Sequence, residues 1–214
     1  MSKIHLEILD KSRLKTFNQL TEFPQGVLVG GTALALQICH RLSFDFDLFF
    51  PQPLKRKSLV RQCQNIFGEK TRFLIQNTDQ VTLITPENIK LDLVYYPYKL
   101  ITSQVTTPSV KLASIKDIAA DKAATIGRRA TWRDYVDIFF LLKWNKISLA
   151  SIVKAAQTKF KGEFNEVLFF EQLVYFKDLE ITKIEFLKEP CAEPEIKTFL
   201  ETTVAKFLKK EFSA

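Results

Sequence analysis

The chain has 214 residues, 46% hydrophobic and 26% charged, with only six glycines and eight prolines. That length can bury a full core, and that composition excludes a disordered, collagen-like or disulfide-stapled chain. Thirty-one Lys and Arg against 24 Asp and Glu leave a net charge of +7, which fits either a polyanionic partner such as nucleic acid or a merely basic surface.

Cys39, Cys63 and Cys191 are widely spaced, without CxxC or Cys/His clustering. They read as reduced, buried thiols of a cytoplasmic protein rather than zinc ligands. Residues 1–20 mix charged and apolar types, which predicts no signal peptide. No stretch approaches the ~20 apolar residues of a membrane span.

Apolar spacing predicts a helix over Leu6–Leu20. Gly26–Val29 reads as a short buried strand that runs into Gly30-Gly31, and Thr32–His40 as a helix with Thr32 as N-cap. Ser43–Phe50 alternates apolar and acidic residues at period two, as a strand does. Asp45 and Asp47 then share one face, and Phe44, Phe46 and Leu48 share the other. Leu54–Phe67 looks helical, followed by strand candidates at Thr71–Ile75, Val81–Ile84 and Ile89–Tyr96. Helical patterns take over from about Val110: Ser114–Arg129, Thr131–Trp144, Ser148–Phe160 and further segments beyond. The fold class is therefore α+β, with a mixed half over residues 1–105, a helical half over 106–214, and a boundary in the Ser/Thr/Pro-rich 101–108 segment.

Four features carry chemistry. A strand that passes through two glycines into a helix brings backbone N–H groups close to an anion, although Gly-Gly is also a common tight turn. Paired carboxylates at Asp45 and Asp47, in a Phe-rich segment, suit Mg²⁺ held together with substrate phosphates, or else form the acidic outer face of a strand. Asp92, between Leu91 and Leu93 on another strand, is a candidate third carboxylate. Lys122 falls in the middle of the apolar stripe Ile115, Ile118, Ala119 and Ile126, while Asp117 and Asp121 fall on the opposite face, where charge is expected. Such a lysine snorkels, pairs with an acid or reaches an anion. Ser114 and Asp117 have the spacing of a capping box. Asp137, in an almost wholly apolar helix, requires a partner, with Arg133 and Lys122 as the candidates.

The order Val29-Gly30-Gly31, thirteen residues, Asp45-Phe46-Asp47-Leu48, then Asp92 on a strand, resembles the nucleotidyltransferase superfamily related to DNA polymerase β. More narrowly, GGTALALQICHRLSFDFDLFF (30–50) and KAATIGRRATWRDYVDIFFLL (122–142) resemble the AbiEii/AbiGii-type toxin nucleotidyltransferases. The resemblance implies a mixed sheet with flanking helices, followed by a helical domain that completes an active-site cleft. It implies that Gly30, Gly31 and Thr32 hold the triphosphate, and that Asp45, Asp47 and Asp92 ligate Mg²⁺ (Mn²⁺ as an alternative), with Asp92 also acting as base. It further implies that Lys122 reaches phosphates and that Asp137 positions Lys122 or substrate. His40 and Arg41 match the first block but are accounted for as helix C-terminal charges. The implied activity is transfer of a nucleoside monophosphate from a nucleoside triphosphate to an acceptor such as the tRNA 3′ end, in a toxin–antitoxin or abortive-infection system with a cognate antitoxin. Transfer to a protein hydroxyl and a non-catalytic RNA- or antitoxin-binding module are the competing readings.

Overall fold

The computed structural model describes residues 3–211. Its contacts divide the chain into two units, Met1–Ser114 and Ile115–Ala214.

In the first unit a six-stranded sheet holds β1 (Val27–Val29), β2 (Phe46–Phe50), β3 (Arg72–Gln76), β4 (Gln80–Ile84), β5 (Lys90–Tyr95) and β6 (Lys111–Leu112), in the order β3-β4-β5-β2-β1-β6. β2 runs parallel to β5 and antiparallel to β1, and β4 is antiparallel to both β3 and β5. The sheet is therefore mixed, and in sequence the β3–β4 hairpin separates the parallel neighbours β2 and β5. β6 is only two residues long, pairs with β1 in parallel, and lies where the sequence carries no strand signal.

Three helices accompany the sheet: α1 (Lys11–Gln19), α2 (Gly30–Ile38) and α3 (Arg56–Phe67). The helix expected over Leu6–Leu20 is broken in two. Leu6–Ile8 is a 3₁₀ turn, and Asp10 caps α1 by accepting the Arg13 amide at 2.8 Å. An Asp that offers its side chain to the backbone favours a fresh helix start over continuation. α2 also begins earlier than expected. Its N-cap is Val29, so Thr32 sits inside the first turn. α2 ends at Ile38 because Cys39 adopts the left-handed conformation (φ 56°), which turns the chain before His40 and Arg41. The core of the unit is made of Phe17, Leu20, Leu28, Leu34, Leu36, Phe46, Leu48, Leu83, Leu91 and Leu93, all fully buried.

The second unit consists of helices α4 (Ile115–Arg129), α5 (Trp132–Lys143), α6 (Leu149–Phe160), α7 (Glu166–Leu173) and α8 (Glu193–Glu211). The start of α5 is capped, with the Asp134 carboxylate accepting the Thr131 amide at 2.8 Å and its hydroxyl at 2.9 Å. Ser148 and Asn165 cap α6 and α7. The helix α5 is buried almost all round, as its apolar composition requires. Among the described residues, no helix is long and apolar enough to cross a membrane.

Candidate active site

The glycine turn is built around three polar side chains. Gly30 has φ +68°, and a Cβ placed there would clash with Asp47 Oδ2. Both the backbone conformation and the neighbour therefore demand glycine. The close approach follows from register, because Val29, the residue before Gly30, is the cross-strand partner of Asp47. At Gly31 a Cβ would lie 2.7 Å from an Arg41 guanidinium nitrogen and 3.0 Å from the Ser43 hydroxyl. The first turn of α2, with N–H groups that have no partner within the helix, starts at this point.

The acids meet through the parallel β2–β5 ladder, in which Asp47 and Asp92 are direct partners. Phe46 and Leu48 point to the opposite face and are fully buried, as the alternating pattern predicts. Phe44 departs from that pattern. It precedes the strand and is 46% exposed, with the Arg13 guanidinium over its ring. Asp45 also lies just before β2, and its carbonyl accepts the Thr32 hydroxyl. Thr32, only 1% exposed, thus ties the first turn of α2 to the acidic segment. This bond corrects its expected role as N-cap.

Asp92 is heavily engaged. Its Oδ1 accepts from the Thr82 hydroxyl and, at 3.1 Å, from Gln80 Nε2, while Oδ2 lies 2.6 Å from Lys90 Nζ. Burial works against the charge on Asp92, but the bonds from Lys90, Thr82 and Gln80 outweigh it and hold the carboxyl below its ordinary range. Burial likewise opposes the Lys90 ammonium. Asp92 first, then Asp45 and Asp47, reverse the balance and raise its pKa. Hard carboxylate oxygens from adjoining strands, next to a turn where a Cβ would close the space, are a donor set that fits a hard divalent cation.

In the second unit Lys122 is paired twice, with Asp134 at 2.6 Å and Asp137 at 2.7 Å. Of the two partners expected for the fully buried Asp137, Lys122 is the one observed, and Arg133 is exposed. Asp117 and Asp121 do not face solvent as periodicity suggests. Asp117 is fully buried, and Lys159, whose side chain is also fully buried, reaches Asp117 at 3.4 Å and Asp121 at 2.8 Å. A partner 42 residues away, on another helix, inverts the face assignment. A further group, Glu189, Cys191 and Glu195, brings its ligand atoms within 4.8 Å of one another. Lys143 sits among them, 2.7 Å from each glutamate and 3.7 Å from the Cys191 sulfur, so an ammonium already balances this cluster.

Two residues at the site are not singled out by sequence pattern. Arg41, expected as a helix C-terminal charge, is only 2% exposed, and its guanidinium packs under Gly31 while donating to the Leu42 carbonyl at 2.9 Å. Lys90 carries a readable signal. It lies two residues before Asp92 on the same strand and so on the same face.

A family model described as "Nucleotidyl transferase AbiEii toxin, Type IV TA system" matches residues 13–213. A protein of Aquifex aeolicus (strain VF5), named only as uncharacterized, is 31% identical over 187 residues, covering 85% of this chain and 87% of its own. Among solved structures, a putative nucleotidyltransferase from H. pylori is similar in fold with TM-score 0.57 at 18% identity, covering 94% of this chain and 97% of its own. The nucleotidyltransferase toxin MenT4 of Mycobacterium tuberculosis H37Rv is similar with TM-score 0.58 at 17% identity, covering 89% and 80%.

Proposed function

The chain belongs to the AbiEii nucleotidyltransferase toxin family, and from that premise we propose that it moves a nucleoside monophosphate from a nucleoside triphosphate to the 3′ end of tRNA, with Mg²⁺ or Mn²⁺ held by Asp45, Asp47 and Asp92. The observation that carries the reading is the register that sets Asp47 beside both Asp92 and the Gly30 turn. A divalent cation at these carboxylates supplies positive charge against the triphosphate and the charge that develops during transfer.

The remaining tasks fall to the chain itself. Gly30, Gly31 and Thr32 present the backbone N–H groups of the first turn of α2 to the triphosphate, with the helix dipole in support. The Thr32 hydroxyl keeps Asp45 in register with that turn. Arg41, packed under Gly31, fixes the turn's shape and adds positive charge beside it. Asp92, kept ionised by Lys90, Thr82 and Gln80, acts in this proposal as the base that takes the proton of the acceptor hydroxyl while its oxygen bonds to the α-phosphorus and the bond to the leaving pyrophosphate breaks. Lys122, its ammonium oriented by Asp134 and Asp137, is the proposed second cation for phosphate. The net charge of +7 supports a nucleic acid as the acceptor. As a member of a toxin family of type IV systems, the chain is proposed to have a cognate antitoxin and to act in the cytoplasm.

The test is incubation of the purified protein with each α-labelled nucleoside triphosphate and MgCl₂ in the presence of total tRNA, or of total protein, beside an Asp45→Asn control. Label on tRNA, lost with the variant and with EDTA, is the expected result. Label on protein alone moves the acceptor from RNA to a protein hydroxyl, and no label on either pool overturns the reading.

A further inference from the structure

Lys90 and Asp92 are two residues apart on β5, so both side chains leave the same face of the sheet. Asp47 leaves that face too, as the direct partner of Asp92 across the β2–β5 ladder. On the other side Thr82 is paired with Asp92, and its hydroxyl, with the Gln80 amide, takes up Asp92 Oδ1. Oδ2 is the oxygen on which the Lys90 ammonium rests, at 2.6 Å. The same ammonium feels Asp45 and Asp47 at longer range. One cation from the chain thus rests on Asp92, with Asp45 and Asp47 close enough to be felt through their charge.

Two properties make that cation displaceable. Its side chain is 40% exposed, whereas that of Asp92 is 10% exposed, so the lysine can leave while the aspartate stays. Lysine is also a single point charge on a flexible stem, without the planar fork that locks arginine onto a carboxylate. A divalent ion would offer twice the charge to the same carboxylate.

We propose that Lys90 is a built-in counterion of the carboxylate cluster, which holds Asp92 and tempers the repulsion among the three acids until a divalent metal ion displaces it. The proposal rests on the reading of Asp45, Asp47 and Asp92 as metal ligands and assigns Lys90 a positioning role within it. Lysine and metal would compete for the Asp92 carboxylate, so the lysine weakens metal binding while stabilising the metal-free fold. Removal of Lys90 then has opposite effects on two quantities, which loss of a merely structural surface pair does not.

The experiment measures MnCl₂ binding, by the loss of the free-ion magnetic resonance signal, and thermal melting with and without saturating MnCl₂. It compares the full-length wild type with Lys90→Met, Lys90→Gln and Asp45→Asn. Lys90→Met is expected to bind Mn²⁺ about tenfold more tightly, the scale on which groups around a metal site tune its affinity. It is also expected to melt lower than wild type without metal and to gain more on metal addition. Lys90→Gln keeps a donor for Asp92 without the charge, and its Mn²⁺ affinity decides the matter if the methionine variant does not fold. Unchanged or weaker Mn²⁺ binding by the folded lysine variant overturns the counterion, even where Asp45→Asn abolishes binding and the metal site itself stands. Mn²⁺ binding that is indifferent to Asp45→Asn overturns the metal site, and the counterion with it.

Discussion

On α4 and α6 a lysine meets carboxylates in a closed cluster. The side chains of Lys159 and Asp117 are both fully buried, and Asp121 takes the same ammonium at 2.8 Å. On the sheet, Lys90 is 40% exposed, and it faces Asp92 with Asp45 and Asp47 within electrostatic range. Both regions take charge out of water, yet one does so completely and the other leaves the cation at the surface. A closed pair suits a structural part, because breaking it leaves a charge with no solvent to turn to. An open cluster of like charges suits a ligand, because an entering ion improves its balance.

Neutralising the acids should break this comparison most visibly. The double variant Asp45→Asn with Asp47→Asn is expected to lower nucleotidyl transfer by about 10⁴-fold, equivalent to ~5.5 kcal/mol of barrier. Its melting temperature should stay within about 2 °C of wild type, since half-open polar sites contribute little to folding. Turnover on labelled nucleotide and a thermal melt check the two halves. A variant that loses activity only because it unfolds would place the acids with the structural clusters instead.

The closed cluster should respond the other way. Asp117→Ala leaves Lys159 with one carboxylate fewer in a dry site and is expected to cost about 3–5 kcal/mol of stability in urea unfolding. Pairing Asp117→Leu with Lys159→Met should recover part of the loss, because an apolar replacement of similar volume removes the fully buried pair, while the Asp121 carboxylate, 17% exposed, keeps some access to solvent. Absence of recovery would mean that the ion pair does more than fill space.

How much of the molecule is legible in the sequence follows from the same contrast. Period two along residues 46–50 is enough by itself to set Asp47 on the face opposite the buried Phe46 and Leu48, whereas the expected strand over 43–45 does not form and Asp45 lies just before β2. The partnership of Asp47 with Asp92 is not displayed, because a parallel ladder between β2 and β5 depends on where the intervening β3–β4 hairpin goes. The two-residue β6 is too short to leave a pattern. Arg41 escapes a reading by helix position because a left-handed residue, Cys39, ends α2 early, and nothing about a cysteine announces φ above zero. Asp117 escapes it because helical periodicity compares residues along one helix, whereas Lys159 arrives from another. Local patterns report which face a side chain takes. They are silent on what another segment brings to that face.

The glycine turn offers a finer comparison within the sheet half. Gly30 and Gly68 both have positive φ, at +68° and +96°, but a Cβ at Gly68 would meet nothing within 4 Å, whereas at Gly30 it would strike Asp47. Gly30→Ala is expected to cost about 1–3 kcal/mol, covering backbone strain and displacement of the carboxylate. Gly68→Ala should cost only the strain. Urea midpoints give the two stabilities, and transfer activity should fall for Gly30→Ala alone. Equal losses of activity would detach the turn from the acids.

The smallest expected effect belongs to a polar group in the helical half that has no charge at neutral pH. Tyr135 is 2% exposed, and its hydroxyl donates to the Gln172 carbonyl at 2.8 Å. Burial, with a smaller contribution from the nearby Asp134 charge, pushes its pKa from 10.0 up to about 12. The folded state therefore prefers the protonated phenol, so this contribution to stability is complete below the unfolded value near 10 and is lost as pH rises toward 12. Tyr135→Phe should cost about 1 kcal/mol at neutral pH, the worth of one hydrogen bond. Its deficit relative to wild type should shrink across the alkaline window. Urea unfolding of both proteins from pH 8 upward reads the difference directly, since every other titrating group is common to the two. A deficit that stays constant through that window would show that the phenol keeps its charged form as comfortably as its neutral one, and that the helical half is less closed around Tyr135 than its burial implies.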